Sequence, residues 1–265
     1  MLNIFKHFWQ VNWAENWQYR ANLLMYLFYW LVSPIIYMAV WTTVARSNGS
    51  VNGMTANDFI VYYMTLLVID QLTGNITIHI FAYKIQDGTL AGELIRPVHP
   101  MLTNTLVTNL AHKALNFLAF LPIWGVLCLL FRPDYTGTPW WGPILAVPAV
   151  ILGFAIGFLL SGAITCVAFW TTRVWALHEF YYSILVLFSG QFVPLQLMPG
   201  IVQQMARYLP FQLILYFPIQ LTLGRLSPTE IVTGFASALV WLVVSYLLFT
   251  WTWREGVKRF SAVGA

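Results

Sequence analysis

Two polar stripes lie inside the apolar part of this chain of 265 residues, and they hold the residue types that could carry a charge or bind a polar ligand. Asp70, Thr73, Gly74 and Thr77 recur at the spacing that places side chains on one helical face, and Thr105, Asn109, His112, Lys113 and Asn116 do the same. Ionisable groups within membrane helices are costly. A carboxylate and an ammonium in consecutive apolar stretches therefore point to mutual contact, a substrate route or subunit seam, or a lone neutral carboxyl. Counted from the loop that joins them, both lie some 17 Å along their helices, at about 1.5 Å per residue, so they could pair. The competing reading starts the third apolar core at Ala114, so that Lys113 snorkels to the inner interface and the stripe is cytoplasmic helix.

Other chemistry is missing. His178-Glu179 opens like a metalloprotease helix, but residue 182 is Tyr, and the second His of H-E-x-x-H is absent. The chain has no G-x-S-x-G, no clustered carboxylates suited to acid-base work and no G-x-x-x-x-G-K-[ST] loop, so it cannot bind and hydrolyse ATP by that route. No catalytic residue and no metal ligand set is nominated. Cys128 and Cys166 sit in apolar segments, with neither a disulfide framework nor a CxxC pair. Asp70, Lys113 and Glu179 leave one alternative open, a secondary transporter that couples to ions through Asp70 and Lys113.

The elements that must position these residues follow from composition. With 59% hydrophobic and 8% charged residues, against roughly 25% charge in a soluble domain, the chain is an all-α polytopic membrane protein with one transmembrane domain over residues 1–265. Six stretches are long and apolar enough to cross a bilayer, at about 22–45, 58–82, 102–131, 141–169, 175–197 and 228–253. Two starts carry capping chemistry: Ser227-Pro228-Thr229-Glu230, and more weakly Thr55-Ala56-Asn57-Asp58. With both termini cytoplasmic, nine Lys and Arg fall inside against four outside, the bias of an N-in, C-in topology. The net charge of +4 follows from that bias and gives no case for nucleic acid.

Phe5, Phe8, Trp9, Trp13 and Trp17 suggest an interfacial helix within residues 1–21, and no removable signal peptide is expected. Gly153, Gly157, Ser161 and Gly162 form a small-residue face for close packing in the fourth span, within one chain or at a subunit interface. Between the fifth and sixth spans, Pro194, Pro199, Pro210 and Pro218 interrupt apolar sequence. This predicts a re-entrant helical hairpin at 198–227 near the outer leaflet, broken at Met198-Pro199-Gly200 and Leu209-Pro210-Phe211. A kinked seventh span at 209–223 is the alternative.

The compact charged loop KIQDGTLAGELIRPVHP, residues 84–100, stands out in a chain with little else facing water. Together with FSGQFVPLQLMP, YLPFQLILYFP and the tail GVKRFSAVGA, the arrangement resembles permease subunits of ATP-binding-cassette (ABC) transporters of the type-2 exporter superfamily, and within it a bacterial group of uncharacterised permeases. That resemblance implies a transporter subunit, not itself an enzyme, in the bacterial cytoplasmic membrane. It implies two ABC ATPase subunits carrying ATP and Mg, no cofactor on this chain, and a second permease, the same or related, to complete the path. It also assigns roles: Asp87 and Gly88 as a turn, Gly92 and Glu93 in a short coupling helix over 92–95, and Arg96 as the contact to the ATPase. Pro194, Pro199, Pro210 and Phe211 would belong to the hairpin capping the outer end.

Overall fold

The computed structural model describes residues 10, 11, 13, 14, 17, 18, 20–101 and 105–260, with backbone alone at 20–24. The helix expected over 1–21 and the last part of the tail motif lie for the most part outside the described residues. All regular elements among those described are helical: α1 (Arg20–Asn48), α2 (Ala56–Thr73), α3 (Thr77–Gln86), α4 (Leu90–Leu94), α5 (Leu106–Phe131), α6 (Trp141–Cys166), α7 (Val174–Phe188), α8 (Gly200–Tyr208), α9 (Tyr216–Thr222) and α10 (Pro228–Val257). Five stretches are long and apolar enough to cross a membrane: Met25–Asn48, Ala56–Gln86, Leu106–Phe131, Trp141–Phe169 and Pro228–Val257. The chain is a multi-pass membrane protein.

Both expected capping boxes form. Thr55 and Asp58 cap α2 reciprocally, and Ser227 and Glu230 do so for α10 with Pro228 at its first position. Each satisfies backbone N–H groups that a helix start leaves open.

Two spans depart from the expected straight helices. The second is interrupted at residues 74–76, so α2 and α3 are two pieces of one crossing. The fifth appears as α7, 15 residues, about 22 Å where a bilayer core needs about 30 Å. The chain then unwinds from Ser189 at the depth of the aromatic half of α2. Irregular backbone there needs partners from the protein, and it has them: the Tyr62 hydroxyl donates to the Gly190 carbonyl at 2.9 Å, and the Tyr63 hydroxyl and Trp41 indole both donate to the Phe192 carbonyl. Gly190 is required twice over, since its φ is +81° and a Cβ would lie 2.6 Å from the Tyr62 hydroxyl.

Beyond Pro194 and Pro199 the amphipathic α8 begins at Gly200 and stops at Tyr208, between the two breaks read from the prolines. Its Ile201, Met205 and Tyr208 are exposed and its Ala206 is buried. Pro210 opens the short turn Phe211–Leu213, and α9 follows with only seven residues, too short for a seventh crossing. This segment is buried against α6. A Cβ on Gly142 would lie 2.5 Å from the Thr222 carbonyl, and one on Gly153 would lie 2.9 Å from that of Leu213. The small-residue face of the fourth span is thus used within the chain, and α6 is the post around which α2, α3, α7, α9 and α10 assemble.

Candidate functional site: a broken helix and the loop beneath it

The break at 74–76 sits where the two polar stripes meet. Gly74 leaves the helix with φ −52° and ψ 155°, its N–H still bonded to the Asp70 carbonyl at 2.8 Å. The last carbonyls of α2 and the first amides of α3 then lack helical partners. Residues of α5 take over. The Ile76 N–H donates to Asn109 Oδ1 at 2.8 Å, and Asn109 is itself held by its Nδ2 donating to the Thr105 carbonyl at 2.9 Å. Lys113 Nζ donates to the Gln71 carbonyl at 3.2 Å and lies 5.1 Å above the centre of the Phe154 ring. A cation near the end of a half-helix meets the negative end of its dipole.

Depth follows from helix rise. The Ala56 end of α2 and the Phe131 end of α5 lie together, tied by Asn57 exchanging hydrogen bonds with the backbone of Asp134. From those ends the break and Lys113 are each about 27 Å away at about 1.5 Å per residue, so both lie toward the end that bears the 84–100 loop. Asp70 and Lys113 do come to one cavity, yet Asp70 is in none of the ion pairs found among the described residues.

Two small cavities share the wall formed by Trp30, Asp70, Gly74 and Asn75. The first, about 40 Å³, is lined by Asn109, His112, Lys113 and Asn116. The second, about 50 Å³, is lined by His79, His178, Tyr181, Tyr182 and Gln191. Each has room for about three waters. Thr73 is buried on the wall of the second, and Thr77 is buried at the start of α3. Asn75, His79, Tyr182 and Gln191 were not singled out by sequence. The Gly-Asn dipeptide at 74–75 was the available signal, a turn former within an otherwise helical run. A larger apolar groove of about 550 Å³ lies toward the far end, with Val68, Trp124, Trp140 and Val150 on its walls.

Beneath the break, the 84–100 loop is braced. Lys84 at the end of α3 pairs with Glu93 on α4 at 2.6 Å, both side chains largely buried. Asp87 Oδ1 accepts from the backbone N–H and the hydroxyl of Thr89, which holds the Asp87 carboxyl below the usual carboxylate range. Gly88 follows with φ +81°, a turn that favours glycine. Leu90, the first residue of α4, is buried, whereas Gly92, Ile95 and Arg96 face outward, Ile95 being 87% exposed. The returning arm is fastened to other spans: the His99 ring lies 4.6 Å from that of Trp253 on α10, and Met101 is buried where a Cβ on Gly162 of α6 would meet it. On the outgoing side Gln86 donates to the Thr172 carbonyl.

Of the hairpin residues, Pro194 and Pro199 precede helical turns, Pro210 opens the next, and Phe211 packs on Tyr181 with ring centres 5.8 Å apart. The expected hairpin therefore touches the wall of the second cavity.

Among curated proteins no match is found. The family model described as ABC-2 family transporter protein matches residues 20–264. With that span covered, the broken second crossing, the braced loop and the proline-punctuated segment all fall inside the matched region, and the chain belongs to the ABC-2 family of transporter membrane proteins.

Proposed function

We propose that this chain is one transmembrane half of an ATP-driven exporter, working with a second permease, the same or related, and two separate ATPase subunits that carry ATP and Mg. On this reading the chain crosses the bacterial cytoplasmic membrane six times, α7 and the unwound segment after it making the fifth crossing. Both termini and the 84–100 loop are cytoplasmic, and α8 with its flanking turns is the re-entrant hairpin that caps the outer end of the path.

The observation that carries the reading is the construction of the loop. An apolar side chain exposed to water beside a cation, Ile95 next to Arg96, is a poor surface for a free loop and a good one for a docked protein. Its backing is stiff: the Lys84–Glu93 pair, the Asp87 turn and the buried Leu90 join α4 to α3, and His99 joins the returning arm to α10. Force applied at Arg96 would thereby be delivered to the second and sixth crossings together. Asp87, Gly88, Gly92, Glu93 and Arg96 form the coupling element in this account.

The test is co-purification of the chain with the products of neighbouring genes. An ATPase should co-elute, and Arg96→Glu or deletion of residues 92–95 should release it. A stable, transporting protein with no ATPase attached would overturn the proposal. It would favour the second reading, an ion-coupled secondary transporter, for which the broken span beside Asp70 and Lys113 is the supporting feature.

A further inference from the structure

We propose that the cavity between the broken second span and α7 is a binding site for a primary ammonium group. Four residues that line it hold polar atoms closed off from water and without a hydrogen-bond partner: Asn75 Oδ1, His178 Nδ1, Gln191 Oε1 and the Tyr181 hydroxyl. Gln191 is 2% exposed and Tyr181 9%. Buried polar groups are costly unless bonded. Amide oxygens only accept, and His178 Nδ1 accepts in the tautomer protonated on Nε2, so three acceptors face a single donor, the Tyr181 O–H. An ammonium group offers three N–H donors and no acceptor.

Charge and shape agree. Asp70 lines the same cavity and belongs to no ion pair among the described residues. Lys113 lines the other cavity, where it donates to the Gln71 carbonyl and lies over the Phe154 ring. Aromatic faces complete the wall. Trp30 and Tyr182 meet edge to face at 6.0 Å, and a cation beside such rings is attracted by their negative faces. The cavity, about 50 Å³, admits an ammonium centre, and a quaternary head, which has no N–H, would leave the acceptors unbonded. Lys113 itself supplies a primary ammonium bound at the other side of the same break, so the chain already satisfies one such group there.

An ammonium can arrive on a lipid headgroup or on a soluble amine, and both present the same three donors. The cavity runs beside α2 from Gln191 to the break at 74–76 and is within reach of either source. The site does not depend on an ATPase, so it can be tested on the full chain alone, apart from the coupling proposal.

The test uses the purified chain in nanodiscs of phosphatidylcholine and phosphatidylglycerol, which contain no primary amine. Thermal unfolding is followed at constant ionic strength with ethylammonium, tetramethylammonium or sodium chloride. Ethylammonium near saturation should raise the midpoint by about 2 °C or more, and the other two should not. If phosphatidylethanolamine replaces part of the phosphatidylcholine and gives the same rise without added amine, the source is a headgroup. If it gives none while ethylammonium still acts, the source is a soluble amine. Asp70→Asn should abolish the response and Gln191→Leu should weaken it. Should either variant fail to fold, the comparison of the three cations on the unmodified chain keeps the test open. Equal shifts with all three cations or a full response in Asp70→Asn would each overturn the site.

Discussion

Asn109 carries more of the broken span than its composition suggests, because its amide oxygen is the acceptor for an interrupted backbone. Asn109→Ala leaves the Ile76 N–H without that acceptor, a loss of about 1–3 kcal/mol for a buried group. The expected outcome is a lower unfolding midpoint and faster hydrogen exchange at Ile76, with Asn109→Asp restoring part of both. Asp70 and Lys113 share a cavity without a direct pair, so a cycle of Asp70→Asn and Lys113→Met should give a modest coupling, about 0.5–1 kcal/mol, and strict additivity would exclude it. At Asp87 the folded carboxyl titrates below its unfolded value because Thr89 donates to it. Its contribution is therefore complete above the ordinary carboxylate range and is lost as pH falls through the lowered folded value. Protection of the Thr89 amide from exchange should fade over that acid range and be unchanged between pH 6 and 8. None of these roles was legible as such. The sequence placed Asn109 and Lys113 on one polar face, but which backbone groups they serve depends on Gln71 and Ile76, more than 30 positions away.

Helices α2 and α10 begin where the sequence put them, because a capping box is local: hydroxyl and carboxyl lie three residues apart and need no tertiary partner. Thr55→Ala and Ser227→Ala should each cost about 1 kcal/mol, read as separate shifts in unfolding. The break in the second span and the shortness of α7 were not legible. A glycine in an apolar run is tolerated in a helix, so Gly74 and Gly190 leave the outcome open until Asn109, Lys113, Tyr62, Tyr63 and Trp41 offer alternative bonds. Short α4 depends on a contact between elements: Lys84→Met removes one member of a largely buried pair. Exchange across residues 87–96 should quicken and ATPase co-elution weaken, although Ile95 and Arg96 are untouched.

At the scale of the molecule, the far ends of the second and last spans are tied by Arg225 on Asp58, both side chains about 30% exposed. A pair so wetted is worth no more than about 1 kcal/mol. Arg225→Ala should therefore leave the unfolding midpoint nearly unchanged while quickening exchange in the turn at 223–227. The sequence by itself determined the membrane class, the placement of most crossings, both capping boxes, the punctuation around α8 and the loop that the family membership makes a coupling candidate. Hydropathy, proline and capping act within a few residues and survive without any knowledge of neighbours. Only the tertiary structure decided that the second span is broken, that Lys113 bonds a backbone carbonyl and not Asp70, that the returning arm of the loop seats on α10, and that unpartnered acceptors gather around one small cavity. The physical reason is the same in each case: inside a membrane a backbone group released from its helix must find a partner in the protein, and those partners come from segments that the sequence holds far apart.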